Sequence, residues 1–300
     1  MIKISYIVSA YTYSDLLVRL IQRLHQDTAT FFIHFDKKMP DRMYNSVVSN
    51  LGHHSNVYFL ERHVCHWGNF GHVAATIKGI QEIMLRNIQC DYVILLTGQD
   101  YPIKTNQYID LFFQKNMGTD FLEYFELPRS HSWPNGWLDR IENWHFWIFG
   151  LHFWSGHRFK FPLMTRLWSA FFFLFSIKRK FITGLQPFGG SSYWCLSKST
   201  IEHIHSFLNQ NPDYVKFFQN VFIPDEIFFQ TLILNSSFKD KVVNDNLRYI
   251  SWVNEKPAIL GKNDFQHLKM SPQLFARKFD MTVDAEILDM IDQQLLQSGT

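Results

Sequence analysis

Cysteine is scarce: Cys65, Cys90 and Cys195 are the only three among 300 residues, and they stand far apart. That argues against a disulfide framework, and no pair has the spacing of a zinc-binding motif. A reducing, cytoplasmic setting is the expectation. Long apolar runs are missing as well. No stretch approaches the roughly 20 residues that a membrane-spanning helix needs, and the apolar start at 2–10 is broken by Lys3 and Ser5 and lacks a cleavage site. It reads as a first strand and not as a signal peptide, so no membrane anchor is expected. Charge of one sign is not in excess either. With 29 basic and 27 acidic residues the formal net charge is +2, and nothing in that balance favours nucleic acid as a partner. Repeats and low-complexity tracts do not occur.

Aromatic side chains are abundant, at 17% of the sequence with 30 Phe. A large core, sugar-stacking surfaces and membrane contact all use such residues, and composition does not separate them. The length suits one large domain or two small ones, each able to bury a core.

The most informative stretch runs from Asp91 to Thr105, Asp-Tyr-Val-Ile-Leu-Leu-Thr-Gly-Gln-Asp-Tyr-Pro-Ile-Lys-Thr. Residues 92–96 form an unbroken apolar run rich in β-formers, and Gly98 and Pro102 punctuate the segment after it. The pattern predicts a buried strand opening into a loop. Gln99, Asp100 and Lys104 then sit at the strand's carboxyl end, the edge where ligands bind in open α/β sheets. A turn in which Asp100 bonds nearby backbone accounts for the same residues.

Upstream, 2–9 and 31–35 read as strands around a helix capped by Ser14, with Leu16, Leu17, Leu20, Ile21 and Leu24 at helical spacing. Asp36 follows the second strand, where an acidic residue commonly receives ribose or base hydrogen bonds. A surface carboxylate before Lys37 and Lys38 fits nearly as well. A third strand at 57–60 precedes the segment with His63, Cys65, His66, Trp67 and Gly68, readable as a partly buried loop, and then a long helix at 70–84. Another short strand at 120–123 ends on Glu123. Strand and helix thus alternate over the first half, as in a parallel, Rossmann-like sheet.

The stretch 133–181 differs in kind. Trp and Phe crowd it, and Arg158, Lys160 and Arg166 on one side and Lys178, Arg179 and Lys180 on the other bracket the apolar run 167–177. An amphipathic segment in a membrane interface and a buried core helix both fit. Downstream, Gly189 to Trp194 leads into a strand with Cys195 and Leu196, and Ser199 caps a helix to Leu208. Pro224-Asp225-Glu226 reads as a helix start, since proline suits the first turn and acidic side chains favour the positive end of the dipole. Residues 247–253 read as a strand, 274–280 as a loop and 283–296 as a closing helix.

Five motifs in order, with the Ile33-His34-Phe35-Asp36 stretch ahead of them, carry a family resemblance: Gly98 to Thr105, Gly190 to Leu196, Pro224 to Thr231, Arg248 to Trp252 and Phe275 to Asp280. The chain resembles the core-2/I-branching N-acetylglucosaminyltransferases and peptide O-xylosyltransferases, which are inverting sugar transferases; 128–185 matches poorly. The resemblance implies that Glu226 is the catalytic base. It implies nucleotide contacts at Asp36, His66, Trp67 and Asp100, with Lys278, helped by Arg277, on the diphosphate. A second basic contact of the mammalian branching enzymes aligns near Glu255, a departure for which Lys256 or Arg248 can substitute. On the acceptor side it implies Glu123, Trp252 and Trp194. Each of these also has a structural reading, Glu226 as a plain helix-start glutamate among them. Many nucleotide-sugar transferases hold a metal with Asp-x-Asp; this family typically does without, and none occurs here.

The expectation is therefore an α/β, GT-A-like, Rossmann-type mixed sheet with flanking helices and an aromatic-rich helical insert. It forms a single domain over 1–300, with a nucleotide-binding half to about 125, an insert at about 130–185 and a catalytic half from 186. The expected reaction moves a sugar from a UDP-sugar donor, first N-acetylglucosamine and next xylose or another hexose, to a glycan, lipid-linked or protein acceptor. No cofactor and no metal are expected. Residues 144–181 give a possible peripheral contact with the cytoplasmic face of a membrane. A non-catalytic binding protein of the same fold and a metal-dependent phosphotransferase are the competing classes.

Overall fold

The computed structural model describes residues 1–129, 134–155, 162–174 and 178–297, with the backbone alone at 134, 162 and 172–174. Strands β1 (Ile4–Ala10), β2 (Ala29–Phe35), β3 (Val57–Phe59) and β4 (Tyr92–Thr97) alternate with helices α1 (Ser14–Leu24), α2 (Asp41–Leu51) and α3 (Gly71–Leu85). The four strands are parallel, in the order β3-β2-β1-β4. This is the winding that the alternating pattern predicts.

Strand periodicity sends successive side chains to opposite faces. Ile4, Tyr6 and Val8 join Phe31, Ile33, Ile94 and Leu96 in one core. Ile7 joins Phe32, Val93 and Leu95 in the other. Helix α1 buries Leu16, Leu17, Leu20, Ile21 and Leu24 in the first core. At about 2 kcal/mol per buried aliphatic side chain, that stripe contributes roughly 10 kcal/mol before chain entropy is charged against it.

After β4 come β5 (Tyr101–Pro102), α4 (Asn106–Lys115) and β6 (Asp120–Glu126). The insert supplies α5 (Leu138–Glu142), a hairpin of β7 (His145–Ile148) and β8 (Leu151–Trp154), and α6 (Pro162–Leu174). Strand β9 (Phe188–Ser197) then enters between β4 and β6, antiparallel to both, which makes the sheet mixed. Helices α7 (Lys198–Gln210), α8 (Pro212–Phe218) and α9 (Phe228–Leu234) follow, and β10 (Val242–Val243) completes the seven-stranded sheet beside β6.

The last part holds β11 (Arg248–Ile250), a hairpin of β12 (Trp252–Val253) and β13 (Lys256–Pro257), α10 (Phe265–Met270), β14 (Phe275–Arg277) and α11 (Glu286–Gln294). Two sequence expectations change here. The run 247–253 is split between two sheets, and 275–277 is a strand where a loop is expected: β14 pairs with β11 and β5.

The insert is not a core helix. Leu163, Met164, Leu167 and Phe171 on α6 are exposed, as are Ile148, Phe149 and Leu151 at the hairpin tip. Arg179, by contrast, is buried and donates to the carbonyl oxygens of Asn220 and Phe217, so it does not belong to a basic outer face. Trp133, Arg158, Lys160 and 175–177 lie outside the described residues. No helix among the described residues is long and apolar enough to cross a membrane.

Candidate active site

The parallel strands end together at one edge. Asp36 donates its backbone N–H to Ala10 at 2.8 Å, and Gly98 donates to Ser9 at 3.0 Å. Because β9 runs antiparallel to β4, with Ile94 opposite Cys195, the start of β9 reaches this same edge. Glu123 comes to it from β6, at an irregularity in the β6–β9 pairing. Gly190 makes that irregularity possible: a Cβ there would lie 1.9 Å from the carbonyl oxygen of Glu123.

Glu226 ends a 3-10 turn, Pro224–Glu226, entered through Ile223 at φ 50°; helix α9 itself starts two residues later, at Phe228. Three contacts fix the turn. Ile223 donates to the Gly68 carbonyl at 2.8 Å, Phe222 donates to the Arg140 carbonyl at 3.1 Å, and Ser192 Oγ donates to Asp225 at 2.7 Å. The Glu226 carboxylate accepts from Arg140 Nη1 at 2.7 Å; the arginine side chain is 4% exposed and the glutamate 29%. Burial pushes the Glu226 carboxyl up to about 7, against the pull of Arg140 and with help from the neighbouring charges of Asp225 and Glu123. The Arg140 guanidinium also stacks 3.5 Å from the Trp137 ring centre.

The loop before α3 is joined to this turn. Gly68 has φ 76°, and a Cβ there would meet the Phe222 ring at 2.7 Å. Trp67 is exposed and sets its ring edge-on to Phe222, with centroids 5.4 Å apart. The His66 ring lies against Gly150 at the tip of the β7–β8 hairpin.

A second group forms where the Gly98–Asp100 loop meets β14. Asp100 is fully buried, accepts from the Thr97 N–H at 2.6 Å and faces Arg277 Nε at 3.5 Å. Arg277 is buried and stacks 4.1 Å from the Tyr193 ring centre. Among the described residues its Nε and Nη1 have no hydrogen-bond acceptor. A buried guanidinium with unpaired donors suits an anionic ligand, because such donors are costly to leave unfilled. The Tyr11 hydroxyl donates to Gln99, and Gln99 Nε2 donates to the Phe279 carbonyl at 3.2 Å, so this loop and the 277–280 segment are tied together.

Other sequence-predicted residues lie around these two groups. Asp36 is buried and caps its own turn, accepting from the Lys38 N–H at 2.9 Å, with the Lys38 ammonium 3.5 Å away. Lys278 is half-buried, and its backbone is bonded to Ala258 and Leu260 just beyond the β12–β13 hairpin. That hairpin presents Trp252, 61% exposed, and the exposed Lys256. Glu123 is exposed and accepts from Asn246 Nδ2 at 2.6 Å.

Two expectations are corrected. Trp194 is fully buried and packs edge-on to Phe229, so its ring is not available to an acceptor sugar; strand alternation turns Tyr193 toward Arg277 in its place. Arg248 is buried, donating to the carbonyls of Leu95 and Asn246 and to Cys195 Sγ, and is not free for a diphosphate. Arg140 and Tyr193 are the residues that sequence reasoning missed. Tyr193 could have been found from the period of β9, whereas Arg140 lies where the motif resemblance is poor and nothing local marks it.

Two cavities, of about 200 and about 420 Å³, lie elsewhere. The first is lined by Leu185, His203 and Phe207, the second by Phe70, His145 and Trp147, and neither includes Glu226, Asp100 or Arg277.

Xylosyltransferase 2 of Rattus norvegicus is 26% identical over 306 residues, covering 94% of this chain and 32% of the relative. Xylosyltransferase 1 of Homo sapiens is 24% identical over 301 residues, covering 93% and 29%. The chain therefore spans about a third of the length of the curated relatives it matches. Among solved structures, the galactosyltransferase LgtC with donor and acceptor sugar analogs is similar with a TM-score of 0.44 at 11% identity, covering 99% of this chain and 97% of that one. The S. cerevisiae mannosyltransferase Ktr4p gives 0.35 at 10%, covering 79% and 67%. The family model described as Core-2/I-Branching enzyme matches residues 4–274, stopping just short of Arg277 and Lys278. As that match runs from β1 to the segment before β14, the chain belongs to the core-2/I-branching enzyme family of glycosyltransferases.

Proposed function

We propose that this chain transfers a sugar from a UDP-sugar to an acceptor hydroxyl by a single displacement, with Glu226 as the general base. The observation that carries the reading is Glu226 itself, whose carboxyl is pushed up to about 7 on a rigid turn at the sheet's ligand edge. A base with that value takes a proton most effectively near neutral pH. In the step, the acceptor O–H proton passes to Glu226 while the acceptor oxygen attacks the anomeric carbon. The bond from that carbon to the diphosphate breaks, UDP leaves with the electron pair, and an α-linked donor gives a β-linked product.

Charge on the departing diphosphate falls to cations: Arg277, whose Nη1 has no hydrogen-bond acceptor among the described residues, with Lys278 and Lys256. No metal takes part in this step. UDP-N-acetylglucosamine is the first donor candidate from the motif resemblance, and UDP-xylose stands beside it because the relatives above are named xylosyltransferases. The acceptor is a glycan, lipid-linked or protein hydroxyl approached past Glu123 and Trp252. The test is a panel of UDP-sugars, scored for thermal stabilisation and for donor turnover. Stabilisation without turnover of any donor, with or without acceptors, would favour a non-catalytic binding protein.

A second element of the reading concerns the insert. Ile148, Phe149, Leu151, Leu163, Leu167 and Phe171 are exposed apolar side chains on the hairpin tip and α6, and Arg166, Lys178 and Lys180 in the same insert are exposed too. Apolar side chains flanked by basic ones suit an anionic lipid surface. A peripheral contact there would bring the site to a surface-anchored acceptor.

A further inference from the structure

We propose that His34, His63 and Cys65 form a binding site for a zinc-class transition-metal ion, separate from the sugar-transfer chemistry. Three observations lead to it. The ligand atoms of the three side chains lie within 4.8 Å of one another, and His34 Nε2 is 3.1 Å from His63 Nδ1. A tetrahedral ion with bonds of about 2.0 to 2.3 Å holds such ligands roughly 3.3 to 3.6 Å apart, so the two imidazole nitrogens need only part by a few tenths of an ångström to ligate. The outer ring nitrogen of His63 lies 2.8 Å from the Gly71 carbonyl. As donor in that bond, Nε2 carries the proton and Nδ1 turns its lone pair toward His34, the support that ligating histidines generally have.

The surroundings fit the same chemistry. His34 and Cys65 are buried, while His63 keeps a path to solvent. Gly71 lets α3 approach, since a Cβ there would sit 3.1 Å from Cys65 Sγ. Two imidazoles and a thiol, with no carboxylate, select zinc-like over magnesium-like ions. On binding, the Cys65 S–H bond breaks, the sulfur pair goes to the metal and one proton goes to solvent. A fourth position is left for water.

Sequence spacing hides this set because His34 belongs to β2 and the other two to the loop after β3. The site would fasten that loop, which also carries His66 and Trp67, to the sheet. Without metal, His34 Nε2 accepts the His63 backbone N–H at 3.2 Å, and His63 Nε2–H donates to the Gly71 carbonyl at 2.8 Å.

The experiment titrates the whole chain, dialysed free of metal, with Zn²⁺ and with Co²⁺ as the spectroscopic probe. One equivalent should bind with release of a proton and a rise in Tm, and Co²⁺ should show a sulfur-to-metal charge-transfer band. Cys65→Ser should abolish the band, and His63→Gln should weaken Zn²⁺ binding by at least the roughly 10- to 100-fold that loss of a supporting contact costs. No stoichiometric binding, or binding unchanged in both variants, would overturn the assignment. If Cys65→Ser does not fold, His63→Gln alone decides. Turnover is not the readout, so failure here leaves the transferase reading untouched.

Discussion

Arg140 Nη1 and Glu226 Oε2 lie 2.7 Å apart although 86 residues separate them along the chain. The arginine comes from the insert, where the motif resemblance is poor, and the glutamate from the Pro-Asp-Glu turn proposed to hold the base. The insert therefore contributes a side chain to the candidate site.

Glu226→Gln keeps the shape and removes the proton acceptor. Turnover is expected to fall by roughly two to four orders of magnitude while UDP affinity stays nearly unchanged. Near-normal kcat in this variant would remove Glu226 from the mechanism.

Arg140 opposes the upward push on Glu226, so its loss has a definite sign. In the parent, activity should rise with pH through about 7 and then level, because the carboxylate is the active form. Arg140→Gln takes away the stabilising cation, and the rising limb should move to higher pH, with a loss of roughly tenfold or more at neutral pH that partly recovers in alkali. A uniform loss at every pH would mean that Arg140 only holds the insert in place.

Much of this architecture is legible in the amino-acid sequence. The period of β1, β2 and β4 shows which residues are buried on both faces, and the punctuation by Gly98 and Pro102 marks the edge where the candidate site lies. The pairing of Arg140 with Glu226 is not legible there, since it depends on how the insert folds back, and no local pattern encodes that. Trp194 misleads for a related reason: the family resemblance points to it as an acceptor contact, yet the strand's period turns it inward and Tyr193 outward. Arg248 misleads because a basic residue at a sheet edge looks free until its carbonyl partners are known.

Arg277 and Lys278 should act on the nucleotide. Arg277→Gln and Lys278→Ala are each expected to weaken UDP binding and slow transfer together, because the leaving group's charge is what they meet. Turnover should also persist in EDTA without added Mn²⁺ or Mg²⁺. Activity that is lost on chelation and restored by Mn²⁺ or Mg²⁺ would instead place a metal at the diphosphate.

Gly190→Ala tests the frame behind Glu123. The new Cβ would stand 1.9 Å from a backbone oxygen, not from a flexible side chain, so β6 and β9 must separate. Destabilisation of about 1 to 3 kcal/mol or more is expected from denaturant unfolding. A variant as stable as the parent would show that this pairing relaxes freely.

The membrane contact makes the most exposed claim, in both senses. Lys178 reaches Glu142 at 3.0 Å but remains exposed, and Arg166 and Lys180 also face solvent. If lipid covers this face, the parent should co-sediment with anionic vesicles and less with neutral ones, and binding should weaken with salt. Neutralising Arg166, Lys178 and Lys180 should cost about 1 kcal/mol for each charge near the surface. Phe149→Ser with Leu163→Ser should weaken binding even at low salt, since apolar burial supplies the other part of the affinity. These substitutions lie on exposed positions, so Tm should hardly change and a loss of binding cannot be laid to unfolding. Equal indifference of the parent to anionic and neutral vesicles would leave the surface to a protein partner or to a lid over the site.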